Sequence, residues 1–268
     1  MDMSLRIGIA LLLSLLLPVS QALELPEPGA LQARLGRAVQ AVQVIEPHLS
    51  VAGQQLRVRY LGYPAPLVFE RLLGADWQRP GREIELRALD GFVSRVPVER
   101  FAKYQAWLVQ ARADGAAFMV DNHAQHEKQV PLGPYYLVWD NIAAPELVAE
   151  GGAVWPYQVA SIALKPGSRE ALLPAGLGSG FAEHADLAQK YCLSCHQVNG
   201  YGGEKMPLNL AVRAKLLDLR TWRTWLLNPQ TLKPGTAMPP LPDTLPAAER
   251  EAIVAKLHRY LRAVPVLP

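Results

Sequence analysis

Two cysteines and a histidine stand within five residues, Cys192-Leu193-Ser194-Cys195-His196, and these are the only cysteines in the 268-residue chain. Two thiols three residues apart on one helical turn can each bond to a vinyl group of the same porphyrin. The histidine that follows then reaches the iron as proximal ligand, which makes this sequence the attachment signature of haem c. Covalent linkage holds such a group even in a segment too small to enclose it. Other chemistries ask for more than the chain offers. A structural zinc site needs four ligands, and there is no second cysteine pair. A thioredoxin-like pair needs a βαβ setting, whereas this one closes a helical pattern over Phe181 to Tyr191.

An iron with one histidine needs a sixth ligand or an open site, and methionine is the soft partner of electron-transfer haems. Met206 follows His196 by only ten residues, too few to carry the chain across to the other haem face. Met238 follows by forty-two, inside Lys233-Pro234-Gly235-Thr236-Ala237-Met238-Pro239-Pro240. Prolines on both sides forbid helix and stiffen the loop that would hold a thioether against iron. Met238 is therefore the expected ligand, with a core methionine as the plainer alternative. His184 and His258 are the rivals, and both fall in helical patterns where a surface histidine is the ordinary outcome. A second cluster, Asp121, His123, His126 and Glu127, puts four potential ligands within seven residues. His123 and His126 could share zinc or copper, and a solvated polar loop is the reading that competes. His48 stands alone after a proline.

The elements that must position these residues fall into two sets. Leu31, Leu35, Val39 and Val42 recur at helical spacing. Alternation then takes over at Leu56 to Tyr60 and at Glu83 to Ala88. There Asp90-Gly91 followed by Phe92 to Val96 signals a hairpin. Tyr135–Trp139 and Trp155–Leu164 read as further strands, with a short helix between Val98 and Val109. Residues 23–165 thus predict an α+β domain with a mainly antiparallel sheet. Pro, Gly and Ser dominate 166–180, which predicts a linker. Residues 181–268 predict an all-α domain. Its second helix, around Leu219, Trp222, Trp225 and Leu226, stops at Asn228-Pro229, and its third starts after Pro246.

Ahead of both domains, Ile7 to Leu17 is an apolar run of eleven residues, followed by Ser20-Gln21-Ala22. This is the layout of a signal peptide over residues 1–22, and it is too short to span about 30 Å of hydrocarbon. The expected location is the periplasm, with a membrane tether only if the signal stays uncleaved. The net charge of +3 gives no ground to expect nucleic acid as a partner. The last 88 residues carry eleven basic and seven acidic side chains, against fifteen and sixteen in residues 23–177. The basic excess therefore sits with the haem motif.

Residues 181–268 resemble a class I cytochrome c domain. The likeness rests on Phe181, Tyr191, the haem motif, Gly200-Tyr201-Gly202-Gly203, Pro207-Leu208, Trp222, Met238-Pro239 and Tyr260. It implies that the Pro207 carbonyl region orients His196. It also implies that Trp222 or Trp225 packs against the porphyrin or reaches a propionate, unless both are plain core. Residues 82–109 with 129–164 resemble the molybdopterin-binding fold of sulfite-oxidase-like oxidoreductases. The matches are Ala88-Leu89-Asp90-Gly91-Phe92, Val96-Pro97-Val98, Leu132 to Trp139 and Trp155 to Val159. That family binds molybdenum through a protein cysteine, and residues 23–165 contain none. The resemblance therefore implies a degenerate docking or binding module.

These expectations combine into an exported single-haem electron carrier whose redox partner has an acidic docking face. Two alternatives remain at this level. One is a cytochrome subunit of a periplasmic oxidoreductase whose N-terminal domain binds a metal or substrate. The other is a haem sensor with a labile sixth ligand.

Overall fold

The computed structural model describes residues 22–51, 53–167 and 169–267. The expected signal peptide, all but Ala22, lies outside them. An antiparallel, β-rich α+β region is followed by a helical region. Among the described residues no helix is long and apolar enough to cross a membrane.

The first region contains β1 (Leu23–Glu24), α1 (Pro28–Leu35), β2 (Gln40–Ile45), β3 (Arg57–Pro64), α2 (Ala65–Leu73), β4 (Arg82–Ala88) and β5 (Val93–Pro97). After these come α3 (Val98–Lys103), β6 (Ala106–Arg112), β7 (Met119–Asn122), β8 (Glu127–Pro131), β9 (Tyr136–Trp139) and β10 (Val159–Pro166). Two four-stranded antiparallel sheets form, ordered β1-β10-β4-β5 and β2-β3-β6-β9, while β7 and β8 pair as a ribbon. Alternation places Val58 and Tyr60 of β3 inward, between exposed Arg57 and Arg59. The core cluster joins both sheets through residues such as Val44, Leu86, Leu108, Leu137 and Ile162.

Three expectations shift. The helix from Leu31 ends at Leu35, capped by Gly36 at φ 61°. Val42 instead pairs with Tyr60 across β2 and β3. The helix after Val98 ends at Lys103, and Ala106 onward is strand, because Leu108 and Val109 are wanted in the sheet core. The last strand starts at Val159 rather than Trp155, since Pro156 has no N–H to give a ladder.

The helical region contains α4 (Arg169–Leu172), α5 (Ala182–Tyr191), β11 (Gln197–Val198), β12 (Tyr201–Gly202), α6 (Leu210–Leu216), α7 (Leu219–Leu227), α8 (Pro229–Leu232) and α9 (Ala247–Ala263). Asp218 caps α7 by accepting the Thr221 N–H at 2.7 Å. Buried Leu257, Tyr260 and Leu261 of α9 join Ala185, Ala188 and Trp222 in a second core. The stretch 166–180, expected as a linker, is in part built into this core. Leu172 and Leu177 are buried there, and the Tyr260 hydroxyl donates to the Leu172 carbonyl at 2.7 Å.

The two regions meet across a polar seam. Glu83 accepts from Gln189 Nε2 at 2.7 Å and from the Tyr201 hydroxyl at 3.0 Å, and the Arg95 guanidinium lies 4.0 Å over the Tyr201 ring. Glu150 bridges Arg100 at 2.6 Å and Lys190 at 2.8 Å. Burial pushes the Glu150 carboxyl up, but the hydrogen bond and charge of Arg100, with Lys190, outweigh it and hold the group below its usual value of 4.5. A depressed carboxylate stabilises the fold fully above its unfolded value, and that contribution is lost as pH falls through the folded value. Glu150→Gln is expected to flatten the acid limb of stability below about pH 4.5. Urea unfolding of both proteins across that range checks it. A variant with the same slope as wild type contradicts it.

Candidate functional site

The haem-type motif begins where α5 stops. Cys192 is the residue after the last helical one, and its N–H still bonds to Ala188. The chain then turns back: Cys195 and His196 both donate their N–H to the Cys192 carbonyl, at 3.3 and 3.0 Å. One turn of chain thus carries both thiols and the imidazole. Burial pushes the Cys192 thiol up to about 12, and pushes Cys195 up to about 11 against the opposing charge of Lys205. Both shifts favour the protonated thiol over the thiolate.

His196 is positioned by the segment that follows. Its Nδ1 lies 2.9 Å from the Met206 carbonyl. A carbonyl can only accept, so Nδ1 carries the proton and Nε2 keeps its lone pair. Burial pulls the imidazole below its usual value, the Met206 bond opposing, which favours the neutral ring. The contact comes from Met206, one residue ahead of Pro207. Pro207 acts on it only indirectly, by narrowing the backbone conformations open to Met206.

A glycine pair holds this segment against the motif. Gly203 N–H is shared between the Leu193 and His196 carbonyls, at 2.8 and 3.1 Å. A Cβ on Gly203 would lie 1.9 Å from the Ser194 carbonyl oxygen, and one on Gly202, at φ 138°, would lie 2.0 Å from the His196 carbonyl oxygen. Only glycine permits that approach.

Met238 is half-buried against the helical core that includes Cys192 and Leu193. Its loop is stapled by Gln230, whose Nε2 donates to the Thr236 carbonyl at 2.6 Å and whose Oε1 accepts the Gly235 N–H at 2.8 Å. Leu241 N–H then returns to the Leu226 carbonyl at 2.8 Å. Trp222 is buried and donates Nε1 to the Val254 carbonyl at 3.3 Å, so it locks α7 to α9. Trp225, one turn on, is half-buried. His258 Nε2 is 3.3 Å from the Leu217 carbonyl, and His184 stacks edge-on to Phe181 at 5.4 Å between ring centres.

The second cluster does not assemble. Among the described residues no group of three or more His, Cys, Asp or Glu side chains is placed to hold a metal ion. Asp121 accepts the Gln129 N–H at 2.8 Å, and His126 sits at φ 58° just after the short turn His123–Gln125. The seven-residue spacing spans a strand end and a turn rather than one helical face, which separates the four side chains.

Contacts across the seam at the motif had no sequence signal. Val93 N–H donates to the Ser194 carbonyl at 2.9 Å, and the Gly91 carbonyl accepts from Glu204 and Lys205 at 2.9 and 3.1 Å. The Asn209 cap that starts α6 was also missed, although asparagine at that position is a readable signal. No protein-family model matches the chain, and no curated protein matches it significantly.

Proposed function

We propose that the protein is an exported single-haem c-type cytochrome that passes electrons one at a time between redox partners. The observation that carries this is the motif turn itself, with Nδ1 of His196 committed to the Met206 carbonyl and Nε2 left as the free donor. A haem bound there would alternate between ferrous and ferric states. The residues fit such a group. Two thiols on one turn can each add across a vinyl group, and an imidazole with Nε2 free and a thioether are a His/Met ligand set. Met206 and Leu208, 48% and 43% exposed, leave apolar surface beside His196 and Gln197 for a flat macrocycle to cover.

In this reading Cys192 and Cys195 would tether the porphyrin, His196 and Met238 would hold its iron, and the helical region would take a class I cytochrome c arrangement. The buried core around Cys192 excludes water and raises the potential. Filled axial positions favour carriage over catalysis. The basic excess of residues 181–268 suits an acidic partner reached by a salt-sensitive encounter. The β-rich region, similar in its motifs to the molybdopterin-binding fold but without cysteine, serves docking rather than molybdenum chemistry. The periplasm is the compartment that fits export with haem attachment.

Metal analysis with a reductive titration tests the proposal on protein made with a working haem-attachment system. About one iron per chain, no molybdenum, and a single one-electron step are expected. Stoichiometric molybdenum or copper, or no iron, overturns it.

A further inference from the structure

We propose that the β-rich region is a positioning element of the haem centre, gripping the motif from one side and the Met238 loop from the other. This rests on the haem reading above and goes beyond it, because it assigns the first region a task in axial ligation.

On the motif side the grip is the Asp90-Gly91 turn between β4 and β5. Its Gly91 carbonyl takes two N–H groups from 204–205, Val93 reaches Ser194 inside the motif, and Lys205 Nζ lies 2.6 Å from Asp90 Oδ2. These bonds fall on both segments that fix His196, the motif turn and the stretch from β12 to Met206. On the loop side the grip is the turn at Pro145–Glu150. Thr244 Oγ1 donates to the Ala149 carbonyl at 3.1 Å, and a Cβ on Gly151 would lie 3.1 Å from Cγ of Pro242. Glu150 of the same turn is paired to Lys190 on α5, so the turn ties the Met238 loop to the helix that ends in the motif.

A cleft of about 420 Å³ opens beside these contacts, lined by Val148, Ala149, Gly151, Asp243 and Thr244. Thr244 stands six residues after Met238 with three prolines between, so the chain connecting them is stiff. A methionine held by a stiff, anchored loop is pre-organised against the iron, and an outside ligand must first free it.

The experiment uses the full-length, haem-loaded ferric protein and titrates imidazole, which competes with Met238 for the sixth position. Thr244→Val removes the hydroxyl at nearly constant shape. Its imidazole affinity is expected to rise about fivefold, the factor that corresponds to one lost hydrogen bond. Thr244→Ser, which keeps the hydroxyl, restores the wild-type value. Adding Thr244→Val to Met238→Ala has no further effect, since no thioether is left to displace. Affinity of Thr244→Val within twofold of wild type overturns the grip while leaving the haem reading standing. A chain that carries no haem overturns both, and shows it before any imidazole is added.

Discussion

Gly203→Ala will not assemble the haem motif. The added carbon falls 1.9 Å from the Ser194 carbonyl oxygen and 2.6 Å from its carbon, so it meets backbone rather than a movable side-chain tip. Relief requires 201–206 to move off the motif. That breaks the two bonds from Gly203 N–H and pulls at the Met206 carbonyl that orients His196. Overpacking of this kind costs about 1–3 kcal/mol or more, and here it falls on the segment that aims the proximal ligand. The yield of covalently attached haem is expected to drop at least tenfold and the urea midpoint to fall. Gly178→Ala is the control, because a Cβ there meets nothing within 4 Å. Equal haem yield from both variants would contradict the brace.

Met238→Ala is expected to turn the proposed carrier into a ligand-binding protein. If His196 and Met238 hold the iron as proposed, ferrous wild-type protein resists carbon monoxide. Removing the thioether is then expected to open the sixth position, lower the potential and abolish the weak far-red methionine–iron band. The staple at Gln230 and the bond from Leu241 to Leu226 lie in the loop backbone and do not depend on the Met238 side chain. The loop is thus expected to fold, and stability in urea to change little beyond the loss of the iron bond. A Met238→Ala protein that keeps the far-red band, or binds carbon monoxide no faster than wild type, assigns the sixth position elsewhere. His258 is engaged with Leu217, which leaves His184 or a distal residue as the next to test.

The turn that carries Cys192, Cys195 and His196 was more legible than the fold around it. Thiol spacing and a following histidine are local, and α5 with its turn delivers them without help from distant chain. The strand at Arg57–Pro64 was readable for the same reason, since period-two alternation survives where one face is buried, whereas Arg82–Ala88 alternates in sequence although Glu83 and Glu85 are buried as well as Ile84 and Leu86. Val39 and Val42 misled because they continue the three- and four-residue apolar spacing of Leu31 and Leu35 beyond the end of the helix. Gly36 held the stop signal. The stretch at 166–180 has the composition of a linker, yet two leucines suffice to bury it, and only the presence of α9 decides that. The least legible feature is the seam. Glu46, inside the first region, is illegible in the same way: its side chain is fully buried, and accepts from Tyr60 and Tyr136 at 2.8 and 2.9 Å. Partners fourteen and ninety positions away leave no local pattern, and the same holds for Val93 and Ser194.

The most direct measurement is the intact mass of denatured protein produced with a functioning haem-attachment system. Wild type is expected to exceed the bare processed polypeptide by one porphyrin-iron group that survives acid extraction. Cys192→Ala/Cys195→Ala is expected to weigh only as much as its own polypeptide. Wild-type protein that weighs the same as its bare chain would contradict covalent haem, and with it the electron-carrying role.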